Sequence, residues 1–510
     1  MNKLQEIFKA WNIAFDPNQT QAELASKRIE ICNSCDKKVT NLGVHRCSVC
    51  GCALKGKVFS PVIGACPEGK WDVVDTEYKI DKSKTTLDSV QDKSIFVQIA
   101  SYRDPELIPT IEDLIKTSDR PEELTICIAW QHSLEDEWDD LTRYKEDKRF
   151  IILDIPSDKA KGACYARNLI QSQYNKQAYT LQIDSHTRFI KGWDTELIKM
   201  HLNLKNSGIN KPLITSYLPS YNPDDDVNSR LQEVWKMTFN RFTPEGYIFT
   251  FPSAIENWQQ LTGPVPARFF SAHFAFTTGE FCEVVPHDPF MYFHGEEPSL
   301  ASRAFTHGYD LFHPHKILAW HFYTREGFVK HWDDDKEWSE KDVISHRRFR
   351  LLHRMEKGFI DEILDVNRFG FGEERTLEEY EKYCGFRYRD RKVQQYTLDF
   401  HNPPNPTIID PKEYENSLLE KFKTCINLYK KNFQHTDYDY WVISFENEDG
   451  SVIKRLDANK EEVNNLLNST KGEYIHLWRE YTGKTPFKVV VWPHSESKGY
   501  VERNEQKISI

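Results

Sequence analysis

The chain has 510 residues, 39% of them hydrophobic and 13% aromatic, and carries a formal net charge of −11. That length calls for two or three compact units, and the apolar share is enough for real cores, which excludes global disorder. The acid excess excludes a general affinity for nucleic acid through a basic surface, while leaving room for a local basic groove.

Residues 1–75 read as a cysteine-rich leader. Met1 to Ala10 mixes charges among its apolar positions, so no secretory h-region is present, and no apolar run reaches bilayer-spanning length. The chain is therefore expected to be soluble and cytoplasmic. Gln19 to Ile31 has helical periodicity and leads into Cys32-Asn33-Ser34-Cys35, followed by Cys47-Ser48-Val49-Cys50-Gly51-Cys52 and Cys66-Pro67. Of 11 cysteines, six fall in this stretch and five are scattered singly, which is not a disulfide framework. Two Cys-x-x-Cys knuckles point to a structural Zn2+ on Cys32, Cys35, Cys47 and Cys50, with Cys52 and Cys66 as alternates or as members of a two-zinc cluster. A segment this short buries too little apolar area to fold without the metal.

A polar linker is expected over 76–93. From Ser94 the pattern changes. Ile95 to Ala100, Leu124 to Trp130, Phe150 to Ile155 and Tyr179 to Ile183 read as strands, with helices at Leu107 to Thr117 and Ala163 to Gln173. This alternation predicts an α/β domain over 94–388 with a mostly parallel central sheet, whose ligands collect at the carboxyl ends of the strands. Residues 389–510 are expected to form a smaller α+β unit: an amphipathic helix over Glu413 to Lys431, a hairpin turning at Asp449-Gly450, and a strand over Phe487 to Trp492.

The chemistry gathers at the strand ends. In Asp184-Ser185-His186 the outer two side chains leave the same face of an extended segment, so one oxygen and one nitrogen can meet a single cation. Ser101 and Arg103, after the first strand, sit where a loop can cradle a base and ribose. Gly162 opens a helix whose Arg167 can face a diphosphate. His294-Gly295-Glu296-Glu297 places an acidic pair at a helix head, and Trp320-His321 offers a second imidazole for the cation.

From about Ser94 to Phe386 these motifs, in this order, resemble glycosyltransferase family 60, which includes the cytoplasmic hydroxyproline N-acetylglucosaminyltransferase that modifies a ubiquitin-ligase subunit. The carrying stretches are Ile99 to Pro105, Ala160 to Asn168, Leu181 to Asp194, Thr215 to Tyr221, His287 to Asp310, Trp320 to Arg325, and Gly370-Phe371-Gly372 with Arg375-Thr376-Leu377. More distantly the arrangement is similar to the polypeptide GalNAc-transferases, in which small residues lie beside the donor sugar where this chain has Phe269 to His273. That alignment makes Ser271 a donor contact, and His273 departs from the pattern.

The resemblance implies a GT-A fold, a UDP-sugar donor with UDP-GlcNAc favoured, a divalent cation with Mn2+ favoured, and transfer to a hydroxyl with retention. Asp184, His186 and His321 would hold the cation, which offsets the charge that leaves with UDP. Ser101, Arg103, Arg167, Ser271 and Asp184 would bind the donor. Glu296 and Glu297 would position the acceptor and stabilise the cationic sugar, either of the two being the one that faces it. A protein acceptor is favoured. A hydroxylated base in DNA is the alternative, although the leader's 10 Lys and Arg against 8 Asp and Glu are too balanced to argue for it. A catalytically inactive sugar-nucleotide-binding protein is the third reading.

Overall fold

The computed structural model describes residues 10, 14, 19–41, 43–60, 66, 68, 70, 87–136, 138–324, 327–358, 366–469, 472–483 and 486–508. The leader's end at Trp71, most of the expected linker, and Arg325 of the Trp320 motif lie outside them. Two compact units result: Met1–Ile80 with Pro406–Asn416, and Asp81–Asn405 with Ser417–Ile510. Among the described residues no helix is long and apolar enough to cross a membrane.

In the first unit, α1 (Gln19–Asn33) ends on the first knuckle, and β1 (Lys38–Asn41) pairs antiparallel with β2 (Val44–Cys47) before the short α2 (Leu54–Lys57). Its core is small: Ala25, Cys32, Leu54 and Val58. The second knuckle turns tightly, with the Gly51 N–H donating to the Cys47 carbonyl at 2.8 Å and Gly51 at φ +72°. Five of the cysteines (Cys32, Cys35, Cys47, Cys50 and Cys66) line one hollow of about 370 Å3, and Cys52 does not.

In the second unit, β3 (Ile95–Tyr102), α3 (Leu107–Thr117), β4 (Leu124–His132), β5 (Phe150–Pro156), α4 (Ala163–Gln171) and β6 (Tyr179–Asp184) follow the expected order. Phe96, Val97, Ile99, Ile126 and Ile128 are wholly buried, as continuous apolar strands covered on both faces must be. On α3, Leu107, Ile111 and Leu114 recur at helical spacing and are equally buried. Next come β7 (Thr187–Phe189), α5 (Trp193–Asn206), β8 (Lys211–Thr215), β9 (Trp235–Phe242), β10 (Ile248–Ala254), β11 (Val265–Pro266), β12 (Phe274–Thr278), α6 (Glu296–Thr306) and β13 (Tyr309–His313). The eight-stranded sheet has the order β11-β13-β8-β12-β6-β3-β4-β5. β6, β3, β4 and β5 run parallel, as do β13 and β8, while β12 opposes both its neighbours and β11 opposes β13. This is the expected α/β architecture, its central sheet mixed by the reversed β12.

β14 (Ala319–His321) pairs with β7, and α7 (His331–Asp334), α8 (Trp338–Leu352) and α9 (Leu377–Cys384) complete this part. The Gly370-to-Leu377 motif anchors it: Arg375 lies 3.8 Å over the Phe305 ring and pairs with Asp310 at 2.6 Å, and Thr376 forms a capping box with Glu379.

The expected boundary at 388/389 falls inside the hairpin of β15 (Phe386–Arg387) and β16 (Lys392–Gln394). The helix expected over Glu413 to Lys431 is corrected by the structure. α10 (Pro411–Ser417) stops after two turns, and β17 (Leu418–Tyr429) replaces the rest. Apolar residues recur every four positions in this stretch of the sequence, a spacing that suits helical and strand periodicity alike. The strand prevails because β21 (Tyr474–Thr482) pairs with nine of its residues, from Lys421 to Tyr429. The expected hairpin is present, with β18 (Tyr438–Glu446) against β19 (Val452–Arg455) and Gly450 at φ +82°. β20 (Ala458–Asn459), α11 (Lys460–Ser469), β22 (Lys488–Ser495), β23 (Gly499–Tyr500) and β24 (Asn504–Lys507) finish the chain around a core that includes Ile426, Trp441, Ile443 and Val489.

Candidate active site

β6 ends on Asp184, and Ser185-His186 form a bend before β7. This turn, rather than the alternation of an extended segment, brings His186 beside Asp184 and sends the Ser185 hydroxyl to the same Asp104 oxygen as the His186 ring. The β7–β14 ladder sets Thr187 opposite His321 and brings the second imidazole alongside. Two ring nitrogens then converge on one carboxylate oxygen: His321 Nε2 lies 3.3 Å and His186 Nε2 3.6 Å from Asp184 Oδ2. Asp104 orients His186, accepting from its Nδ1–H at 2.7 Å and from the Ser185 hydroxyl at 2.7 Å. His186 Nε2 is left buried without a hydrogen-bond partner. A buried imidazole lone pair, a carboxylate and a second imidazole within 4.8 Å of one another fit a divalent cation.

Arg167, buried on α4, ties this site to the acidic pair. Its Nη2 donates to Asp184 Oδ1 at 2.7 Å, and its Nη1 donates to both Glu296 oxygens at 2.7 and 2.8 Å. Burial works against ionised Asp184, but the hydrogen bond from His321 and the Arg167 charge hold its carboxyl well below the usual range. Glu296 has a further partner in His287 Nε2, 2.9 Å away. Burial opposes its charge too, and Arg167 and His287 outweigh burial, so its pKa is lowered.

Glu297 is different. It accepts from the Ala272 N–H at 2.8 Å and the Tyr217 hydroxyl at 3.1 Å, with no cation in direct contact. Burial and then the Glu296 charge raise its pKa to about 7. Two adjacent carboxylates thus differ in ionisation because only one faces a guanidinium. Beyond Glu297, Tyr217 stacks on His273 at 5.2 Å, and His273 on His321 at 4.3 Å. Burial, with the neighbouring His321, pushes the His273 pKa well down, and its Nε2 accepts from the Leu218 N–H at 3.1 Å.

A cleft of about 710 Å3 opens beside the cation residues, lined by Ala100, Tyr102, Gly162, Arg167, Asp184 and His186 on the sheet side. Tyr292, Phe293 and the segment Val329 to Trp332 close its other side. Gly162, at φ +100°, starts α4 so close to this wall that a Cβ would meet the Tyr292 carbonyl at 2.8 Å. The segment of α7 is fastened by Tyr102 donating to Asp334 at 2.6 Å and by the Tyr292 hydroxyl 2.6 Å from His331 Nδ1.

Asp184, His186, His321, Arg167 and Glu296 are therefore brought together, with Glu297 next to them. Ser101, Arg103 and Ser271 are not cleft-lining residues. Ser101 and Ser271 are buried beneath the surface, with unpartnered hydroxyls. Arg103, in a left-handed conformation at φ +46°, grips Asp136 with Nε at 2.7 Å and Nη2 at 2.9 Å, and reaches Asp334 with Nη1 at 3.0 Å.

Comparison with known proteins places this arrangement. A family model described as Glycosyltransferase (GlcNAc) matches residues 94–148 and 140–389, more than half of the chain. The chain belongs to that family. No curated protein matches the glycosyltransferase by sequence. Among solved structures it is similar to GalNAc-T7 with UDP, GalNAc and Mn2+, at 12% identity and a TM-score of 0.39, covering 56% of each chain. It spans just over half the length of that protein. It is also similar to Staphylococcus aureus TarS 1-349 in complex with UDP-GlcNAc (12% identity, TM-score 0.32, 53% of this chain and 69% of that one). A third is the mannosyltransferase PcManGT of Pyrobaculum calidifontis with GDP-Man and Mn2+ (12% identity, TM-score 0.31, 56% of this chain and 73% of that one).

Sequence reasoning missed three contributors to the glycosyltransferase's site. Asp104 sits within the Ser101-to-Pro105 motif, and its role as the orienting partner of His186 becomes visible only once β3 and β6 are adjacent. His287 opens the His287-to-Asp310 stretch but gives no spacing signal toward Glu296. Tyr102 and the His331-Trp332 segment meet across 229 residues of chain, a closure no local pattern announces.

Proposed function

We propose that this glycosyltransferase moves a sugar, GlcNAc favoured, from a UDP-sugar to a hydroxyl of a protein acceptor with retention of configuration, in the manner of family 60. The observation that carries the reading is the convergence of His186 and His321 on Asp184 Oδ2, with a buried imidazole nitrogen free of hydrogen bonds. Asp184, His186 and His321 would hold a cation, Mn2+ favoured by the mixed oxygen and nitrogen ligands, that supplies Lewis acidity to the departing diphosphate. Arg167, fixed by Glu296 and Asp184, lines the cleft and places a permanent positive charge against the diphosphate. Glu296, itself held by His287, is a positioning residue for Arg167.

Glu297, with Tyr217, is our candidate for holding the reacting sugar or the acceptor hydroxyl. The new bond forms as the sugar–phosphate bond breaks, and a leaving phosphate oxygen takes the acceptor's proton on the same face, so no covalent protein intermediate is required. Arg103 acts through Asp334 and Asp136, fastening the cleft wall on which the donor's base and ribose would rest.

Incubation with UDP-GlcNAc and Mn2+, with and without protein acceptors, tests the reading by UDP release and by acceptor mass. Release dependent on Mn2+ and an acceptor heavier by one N-acetylhexosamine residue is the expected result. No release with any UDP-sugar and cation defeats it. For the cysteine-rich unit we propose structural zinc on Cys32, Cys35, Cys47 and Cys50, with Cys66 as the alternate ligand, supported by the shared hollow those residues line. Elemental analysis that finds no zinc in protein purified without chelator removes that proposal.

A further inference from the structure

At the α6 start, outside the residues that line the cleft, lies a second group of metal-capable side chains. His294 precedes Gly295, the left-handed residue (φ +92°) from which α6 and its Glu296-Glu297 pair begin. Asp342 and His346 are one turn apart on α8 and so share a face. Ligand atoms of all three lie within 4.8 Å of one another.

The distances are not those of a hydrogen-bonded cluster. His346 Nε2 is 3.5 Å from Asp342 Oδ2, and His294 Nδ1 is 3.8 Å from Asp342 Oδ1. Both exceed the 2.7–3.2 Å of an N–H···O bond by enough to leave the groups unpaired. His346 Nε2 and Asp342 Oδ1 are in fact buried with no hydrogen-bond partner. Two ligands each about 2.1 Å from a tetrahedral ion stand about 3.4 Å apart, close to the separations seen. Neither ring is loose: Tyr247 stacks on His294 at 5.4 Å and 6°, and on His346 at 5.5 Å and 28°. The Tyr292 N–H donates to the Ser345 hydroxyl at 2.6 Å, holding the loop before His294 against α8.

We infer that His294, Asp342 and His346 form a second divalent-cation site, separate from the donor cleft, that clips the start of α6 to α8. Two imidazoles and one carboxylate select a borderline ion such as Zn2+ or Co2+ over Mg2+ or Ca2+, whose preference is for oxygen. The remaining coordination position is open to solvent, since the His294 side chain is half exposed. The ion acts on structure: it fixes the residue before Gly295 and with it the direction in which the acidic pair leaves the loop.

The test uses the full chain and zinc itself. Wild type, His294→Gln, His346→Gln and Asp184→Asn are dialysed to equilibrium against buffered Zn2+ and their bound zinc is measured by elemental analysis. His294→Gln and His346→Gln should each hold one equivalent less than wild type, whereas Asp184→Asn, altered in the other cluster, should still carry the equivalent assigned here. Saturation with Zn2+ should slow amide exchange around residues 293–298 in wild type and not in the two histidine variants. The half-exposed His294 gives a variant that leaves packing intact, so a folding defect at His346 does not blur the result. Unchanged zinc content in both histidine variants, or a loss in one and not the other, overturns the site.

Discussion

The carboxyl edge of the central sheet and the C-terminal sheets are built on opposite principles. Around Trp441, Ile443, Phe445 and Val489 the C-terminal part buries apolar side chains completely, and Trp441 is clasped by Phe433 at 4.5 Å and Tyr438 at 5.9 Å. Around Asp184 the sheet edge buries charge: Arg167, Asp184, Glu296, Asp104 and two histidines in one network. Apolar burial stabilises whatever the pH and ligand, whereas a buried charge stabilises only while its partners stay in place. The contrast teaches where stability and chemistry are separable in this chain. The C-terminal core should govern folding without touching catalysis, and the charged edge should govern catalysis at some cost to stability.

Asp184→Ala probes that division most severely. It should abolish Mn2+-dependent UDP-sugar binding by calorimetry and turnover together, because the carboxylate that both imidazoles face is gone. The protein should stay folded, since Arg167 retains its two bonds to Glu296. A variant that binds donor and cation as wild type does would break the assignment of this edge.

Trp441→Ala asks the converse. Removing a wholly buried indole should cost about 3–5 kcal/mol of stability in the transition that reports the C-terminal core. Turnover per folded molecule, measured at low temperature, should be unchanged, because that core contributes no residue to the cleft. A loss of kcat with the fold intact would show the two regions to be coupled.

How much of this was legible beforehand differs between the same two regions. The Ser185-His186 bend that brings the imidazole to Asp184 has no signal in the spacing, whereas the first strands lie within two residues of their expected bounds because their apolar runs stop at polar loops. Leu107 to Thr117 matches its expected bounds because its buried residues recur at helical spacing on one face. The C-terminal strand β17 was misread because apolar residues four apart satisfy both periods, and only its pairing with β21 decides. In the site, Asp184, His186, His321 and Arg167 were nameable as types. The reason Glu296 and Glu297 diverge was not, since it depends on Arg167 and His287 arriving from distant elements.

The smallest expected effects concern that divergence. Glu297→Gln keeps the acceptor for the Ala272 N–H, so donor and cation should still bind, while kcat falls by about 10²-fold, on the order of 3 kcal/mol. Glu296→Gln should instead weaken donor binding, by loosening Arg167. The pH dependence then separates a charged Glu297 from a neutral one. Its pKa stands near 7 in the fold and 4.5 as the ordinary value, so between those pH values the folded chain holds a proton that the unfolded chain has lost. The stability this gives is fully present below about 4.5 and is lost as pH rises through about 7. Glu381, also raised to about 7 by burial, adds a slope of the same sign. Comparing wild type with Glu297→Gln cancels it.

Activity should run the other way. If the carboxylate holds the sugar or hydroxyl, kcat rises as pH climbs through about 7, and that limb disappears in Glu297→Gln. Stability and turnover would then be opposed through one side chain, the cost of keeping an uncompensated carboxylate beside a compensated one. Should the wild-type rate be flat from pH 6 to 8 while the variant is still slow, the Glu297 charge has no part in catalysis. Its hydrogen bonds to Ala272 and Tyr217 would then carry the effect, and the charged edge would end at Arg167.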